Sequence, residues 1–169
     1  MFEFEESVSI DAPVSDVWKF VTDVSRWWLP RAPTTLLQLR TAKGLLGLGD
    51  EVGFEEWVGG IRGEARGTIT EWTQGRAVTW EGEATYRYFG VRIRIEESVT
   101  WRVQPRSGGS ELSARVWARF PPGLLGRLTE WYAEAVLHIV DKDRQHARRE
   151  LDYLKRALES EAPTRGGAA

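Results

Sequence analysis

Cysteine is absent from the 169 residues, which removes disulfides, zinc thiolates and thiol nucleophiles from consideration. Histidine is nearly absent too. His138 and His146 are the two in the chain, and neither stands in metal-ligand spacing with another histidine or a cysteine. Both read as structural or surface groups, with no metal site expected. There is no Ser-His-Asp set and no cofactor fingerprint, so no cofactor is expected either. Charge of one sign is also lacking: 23 basic residues face 25 acidic ones, a net charge of −2. Such a chain has no field for gathering a polyanion, which argues against nucleic acid as a partner. No apolar run approaches the ~18 residues of a membrane span. The opening Met1-Phe2-Glu3-Phe4-Glu5-Glu6 has neither the basic region nor the apolar core of a signal peptide. A soluble, cytoplasmic protein without integral membrane association is expected; oligomeric state leaves no signature.

What the chain does have is tryptophan, nine in all. A rigid aromatic surface on that scale serves either a core or a binding cavity. The length suits one domain, read as residues 1–160, with 161–169 as a frayed tail. Phe2, Phe4, Val8 and Ile10 alternate with polar residues as in a half-buried strand, and Glu6 falls on the apolar phase. Pro13 then suits the start of a helix carrying Val14, Val17, Trp18 and Val21 on one face. A second short helix is predicted over Val24 to Trp28. Arg31 to Asp50 reads as a loop; its "KGLLGLGD" lacks the Gly-Lys-Ser/Thr of a phosphate loop and runs into a strand.

Between Glu51 and Phe120 the pattern predicts a meander of five strands, making a sheet of about six with the first. The turns set its register. Gly59-Gly60 places Val58 opposite Ile61. Gln74-Gly75 pairs Glu71 with Val78, Ile69 with Trp80 and Gly67 with Gly82. Phe89-Gly90 pairs Tyr88 with Val91, Tyr86 with Ile93 and Gly82 with Glu97. The hairpin at "QPRSGGSE" brings Val99, Trp101 and Val103 into phase with Leu112, Ala114 and Val116. A one-residue slip would turn every side chain over, so agreement of four turns on one apolar face constrains the fold strongly. The opposite face carries the strand arginines, with Thr79 among its polar residues. After Pro121-Pro122-Gly123, Leu125, Leu128, Tyr132, Ala135, Val136, Ile139, Asp143, Ala147, Leu151, Leu154 and Leu158 recur at helical spacing. One helix from Leu124 to Leu158 would be about 50 Å long.

The inner face carries acids where apolar residues are the ordinary choice. Glu6, Glu56 and Glu97 point inward while the strand arginines point out, and Asp143 interrupts the helix's apolar stripe. A buried carboxylate must be hydrated, take a proton, or find a partner on a helix or loop. Val52, Gly67, Gly82, Glu97 and about Ala118 form one row across five strands, with Glu97 between Gly82 and Ala118; Glu56, Gly63, Tyr86 and Ile93 form another. Glycines in strands mark either a bend or space for something else, and both readings stand.

"VSIDAPVSDVWKFVTDVSRWW" resembles the opening of the SRPBCC, or START-like, superfamily, and "GEARGTITEWTQGRAVTWEGE" is similar to its third and fourth strands. The resemblance covers about Phe2 to Leu158. It implies an α+β helix-grip fold: a curved antiparallel sheet wrapped on a long C-terminal helix around a cavity for a bulky, mostly apolar ligand. The superfamily includes polyketide aromatase/cyclases, lipid, sterol and quinone binders, plant hormone receptors and the birch pollen allergen type. Trp27 and Trp28 would then close one end of the cavity while Trp18 fills core. The residues expected around a ligand are Trp28, Phe54, Glu56, Gly67, Ile69, Trp80 and Gly82, followed by Tyr86, Ile95, Glu97, Val116, Tyr132 and Val136. An internal pocket on the order of 300–1,000 Å³ is expected. Binding or transport of a small hydrophobic molecule comes first. A cyclase or dehydratase in which Glu97, Tyr86 or Tyr88 moves protons comes second. A protein-interaction module, which requires an exposed apolar groove, comes third.

Overall fold

The computed structural model describes residues 1–29, 35–42, 44–58, 60–88 and 91–161. Seven strands form one antiparallel sheet. They are β1 (Phe2–Ile10), β2 (Leu36–Thr41), β3 (Glu51–Val58), β4 (Ile61–Thr73), β5 (Ala77–Tyr88), β6 (Val91–Arg106) and β7 (Gly109–Arg119), in the order β1-β7-β6-β5-β4-β3-β2. Helices α1 (Val14–Val21) and α2 (Val24–Trp27) follow β1, and α3 (Leu124–Ala135) and α4 (Ile139–Glu161) follow β7. The expected tail falls outside the described residues beyond 161, as do the turn residues 59, 89 and 90.

The predicted pairings hold across the middle of the sheet. Val58 faces Ile61 and Val52 faces Gly67, Gly67 faces Gly82, Gly82 faces Glu97, and Glu97 faces Ala118. The inner face is apolar, with Phe54, Ile69, Trp80, Ile95, Trp101 and Leu112 all buried. The strand arginines, including Arg62, Arg66, Arg92 and Arg94, are exposed on the outer one.

Three expectations are corrected. The sheet has a seventh strand, β2, inside the segment read as loop. A register shift between Leu36 and Gln38 breaks its alternation, so no period-two signal marks it. A second shift between Ile69 and Glu71 moves the end of β4 by one residue, so that Glu71 faces Thr79 and Trp72 faces Val78. Thr79 is consequently buried and not wet; it donates to Glu71 Oε2 at 3.1 Å and meets Thr100 Oγ1 at 3.0 Å. Trp72 turns inward to pack edge-on against Trp18, 5.1 Å between ring centroids. Finally, the C-terminal helix is two helices. It breaks after Val136, and His138 takes a left-handed φ of 50°.

That break resets the helical phase. Ala147, Leu151, Leu154 and Leu158 of α4 are buried, with α4 running along β1. Leu128, Tyr132 and Val136, predicted to continue the same stripe, are exposed instead, together with Leu124 and Trp131. Ala133 and Leu137 turn inward in their place.

The meaning of the sheet glycines is also settled by the packing. A Cβ on Gly67 would lie 2.1 Å from the Glu81 carbonyl oxygen, and one on Gly82 would lie 2.3 Å from that of Arg66. The two backbones close on each other here, so these glycines leave no space for a ligand. Gly67→Ala and Gly82→Ala are each expected to cost about 1–3 kcal/mol in urea denaturation, the range for overpacking. Gly47→Ala, whose Cβ meets only the Asp50 carboxylate at 3.4 Å, should be close to neutral.

Candidate functional site

Two chambers lie between the concave sheet face and the C-terminal helices. Space open to the centre of a water molecule is about 40 Å³ in the first and about 50 Å³ in the second. Tyr86, Glu97, Val116 and Asp143 line both, so they form the wall between them. The first chamber is otherwise apolar, with Phe2, Ile61, Ile93 and Ile95 from the sheet facing Leu137 and Ile139. The second sets Trp28, Phe54, Trp80 and Trp101 against Glu56, His146 and Glu150.

These volumes are well below the expected pocket, for two physical reasons. The crossing at Gly67 and Gly82 removes the space inferred there, and the Tyr86 ring occupies the space over Gly63, where a Cβ would come within 2.6 Å of Tyr86 Cε1. Trp28, Phe54, Glu56, Trp80, Tyr86, Ile95, Glu97 and Val116 do line the chambers. Ile69 is packed in the core, and Tyr132 and Val136 face outward. Trp27 lies behind Trp28 in a parallel stack and donates its Nε1–H to the Val21 carbonyl at 3.0 Å. The side chain of Tyr88 lies outside the described residues.

Each inward acid meets a different environment. Glu6 is answered from the helix: Arg148 grips it with two bonds, of 2.7 and 3.0 Å, and Arg144 Nε lies 3.2 Å away. Glu97 meets no cation; Tyr86 donates its phenol to Glu97 Oε2 at 3.1 Å. Burial, then the neighbouring Asp143 and Glu56 carboxyls, push the Glu97 carboxyl up to about 8, against smaller opposing effects of Tyr86 and His146. Burial likewise raises Asp143 to about 7, although His146 pulls it down. The Tyr86 phenol is held well above its usual range by burial and by the same acids, so it stays a donor.

His146, read as a structural or surface group, is held inside by partners from three parts of the chain. Its Nε2 lies 3.2 Å from Glu56 Oε2 and 3.5 Å from Glu150 Oε1, and its Nδ1 lies 3.1 Å from Thr35 Oγ1. Burial opposes the charged ring, but Glu150 and Glu56 outweigh it and push the imidazole up to about 11. Glu56, His146 and Glu150 also bring one ring nitrogen and two carboxylate oxygens within 4.8 Å of one another. His146 and Glu150 stand one helical turn apart, a spacing visible in the sequence. That Glu56 completes the group depends on how α4 crosses β3.

The family model described as polyketide cyclase / dehydrase and lipid transport matches residues 1–159. No curated protein matches the chain. Among solved structures, the di-domain ARO/CYC StfQ from the steffimycin biosynthetic pathway aligns with a TM-score of 0.64 at 16% identity, over 95% of this chain and 52% of that one. Ara h 8.0201 aligns at 0.60 and 12% identity, over 94% of this chain and 98% of its own. A protein from Rhizobium leguminosarum gives 0.60 at 13%, over 94% and 95%. At these identities the likeness is one of fold.

A raised carboxyl pKa has a definite sign in stability. The contribution of such an acid is fully present below its unfolded value and is lost as pH climbs through the folded one. Glu97 and Asp143 therefore weaken the fold as pH rises from the ordinary carboxyl range to about 8. Glu97→Gln cannot ionise, and with Tyr86, Asp143, Glu56 and His146 unchanged around it, it should lose less melting temperature than the parent between about pH 5 and about pH 8.5. Parallel melting curves across that interval would mean that Glu97 ionises without penalty.

Proposed function

Because this chain belongs to the polyketide cyclase / dehydrase and lipid-transport family, we propose that it binds a small, bulky hydrophobic molecule with one polar end in the cavity between sheet and α4. The observation that carries this reading is the division of the cavity. An apolar chamber and an aromatic, charged chamber share the wall of Tyr86, Glu97, Val116 and Asp143. An apolar body fits the first, and an oxygen of the ligand meets Glu97 or Asp143 at the wall. Candidate contacts are Trp28, Phe54, Trp80, Ile95 and Val116, with Glu56 toward the far end.

The chambers must widen to admit such a molecule, and α3 supports that movement. It is bounded by Gly123, with a φ of 101°, and by the left-handed His138. Its Leu124, Leu128 and Trp131 side chains are exposed. Displacing Ala133 and Leu137 would open the apolar chamber, at the cost of the Met1–Glu130 ion pair that ties α3 to the start of β1.

A second reading, a cyclase or dehydratase, is favoured by one observation. Glu97 holds its proton to about pH 8 and touches a phenol, so the pair can give or take a proton near neutral pH.

Native mass spectrometry of the protein as isolated, followed by titration with an apolar fluorescent probe, tests the binding reading. A co-purified apolar molecule, or probe binding that is lost in Val116→Phe with the fold intact, is the expected result. Probe binding equal in parent and Val116→Phe would place the site elsewhere. With a ligand in hand, Glu97→Gln should retain most affinity if Glu97 only orients the molecule, while Glu97→Leu loses about 1–3 kcal/mol by calorimetry. For an enzyme, Glu97→Gln should bind normally and lose about 10²- to 10⁴-fold in turnover.

A further inference from the structure

The Glu56, His146 and Glu150 side chains meet as a metal site would. We propose that they bind one divalent transition-metal ion of the zinc class, with a coordination position open to the aromatic chamber. This goes beyond the hydrophobic-ligand reading and does not depend on it.

The geometry is the first argument. Two ligands about 2.1 Å from a tetrahedral ion lie about 3.4 Å apart. His146 Nε2 stands 3.2 Å from Glu56 Oε2 and 3.5 Å from Glu150 Oε1, and all three ligand atoms lie within 4.8 Å of one another. One nitrogen and two carboxylate oxygens suit zinc and its borderline neighbours better than the softer ions that thiolates select. The ligands stand on regular elements: Glu56 comes from near the C-terminal end of β3, and the other two from successive turns of α4.

The ring's second nitrogen is the next argument. A ligating imidazole usually gives its other N–H to an oxygen, which fixes the tautomer. Thr35 Oγ1 lies 3.1 Å from His146 Nδ1 and can accept that proton. Once a metal displaces the other proton, Nε2 presents its lone pair between the two carboxylates.

Charge points the same way. Among the described residues, two carboxylates face one imidazolium, which leaves a negative charge uncompensated between sheet and helix, where burying it is costly. A dication on a neutral imidazole balances both acids and displaces one proton from the ring. The fourth position is supplied by the chamber, which all three residues line. Trp28 lines it too, is 5% exposed, and its Nε1–H has no acceptor among the described residues. A metal-bound water or a ligand oxygen in this chamber would supply one.

The experiment uses the full chain, stripped with a chelator and titrated with Co²⁺ and then Zn²⁺. Visible d–d bands of low-coordinate cobalt should saturate at one ion per chain and disappear on adding zinc. Glu150→Gln and His146→Gln should each weaken binding by about 100-fold or more, and Thr35→Val by about tenfold to 100-fold. Because the chain has only two histidines, ¹⁵N-histidine NMR reads the site without any substitution. Zinc should shift His146 Nε2 and leave His138 unmoved. No saturable binding, binding unchanged in folded Glu150→Gln, or a shift at His138 alone would overturn the proposal and reduce the cluster to an imidazolium held by two carboxylates.

Discussion

Burying carboxyl groups between a sheet and a helix, while the sheet's own arginines point the other way, is the constraint around which the interior is arranged. Each inward acid must be neutralised, paired or protonated. α4 answers most of them. Its Arg148 and Arg144 hold Glu6, and its His146 lies between Glu56 and Glu150. Glu97 and Asp143 have no arginine or lysine partner among the described residues and keep their protons toward neutral pH. The helix thus pairs Glu6 outside the two chambers, sets an imidazole between two carboxylates in the second, and leaves Glu97 and Asp143, with their carboxyls raised to about 8 and about 7, at the wall between them.

The neutral acids sit where the two chambers meet, which joins electrostatics to shape. Among the described residues that line the apolar chamber, the titratable groups are Tyr86, Glu97 and Asp143, all at the wall. Beyond the wall lie four aromatic side chains and the imidazole with its two carboxylates. The small size of the chambers follows from Tyr86, whose ring lies over Gly63 and whose hydroxyl holds Glu97. A change in that one hydrogen bond would alter both the wall and the acidity of Glu97. The helix break matters for a related reason. A single rigid helix would fix the cavity roof, whereas α3 is a separate segment between two left-handed backbone positions.

Much of this was legible in the chain. Four turns agreeing in phase placed Val52, Gly67, Gly82, Glu97 and Ala118 in one row, and the structure has that row. The inward phase of Glu6, Glu56 and Glu97 followed from the same count. The two bulges were not legible, since an extra residue in a strand has no periodic signature; they hid β2 and buried Thr79. The chain-wide helical stripe concealed the break at 136–138, because Leu125, Leu128 and Tyr132 keep time with Ile139 and Asp143 whether or not the helix is continuous. The partners of His146 were not legible, because they are carboxylates rather than another histidine or a cysteine, and one of them lies on a distant strand.

Local rules therefore determined the alternation, the sheet register away from the bulges and which acids face inward, because turn geometry and a period of two act over a few residues. Tertiary structure decided the rest: whether facing glycines leave a void or bring two backbones together, which cation reaches which carboxylate, and where the roof of the cavity bends. Those outcomes depend on distances between elements far apart in sequence, and a change of an ångström or two there turns an empty space into a contact, or a lone acid into a member of a ligand set.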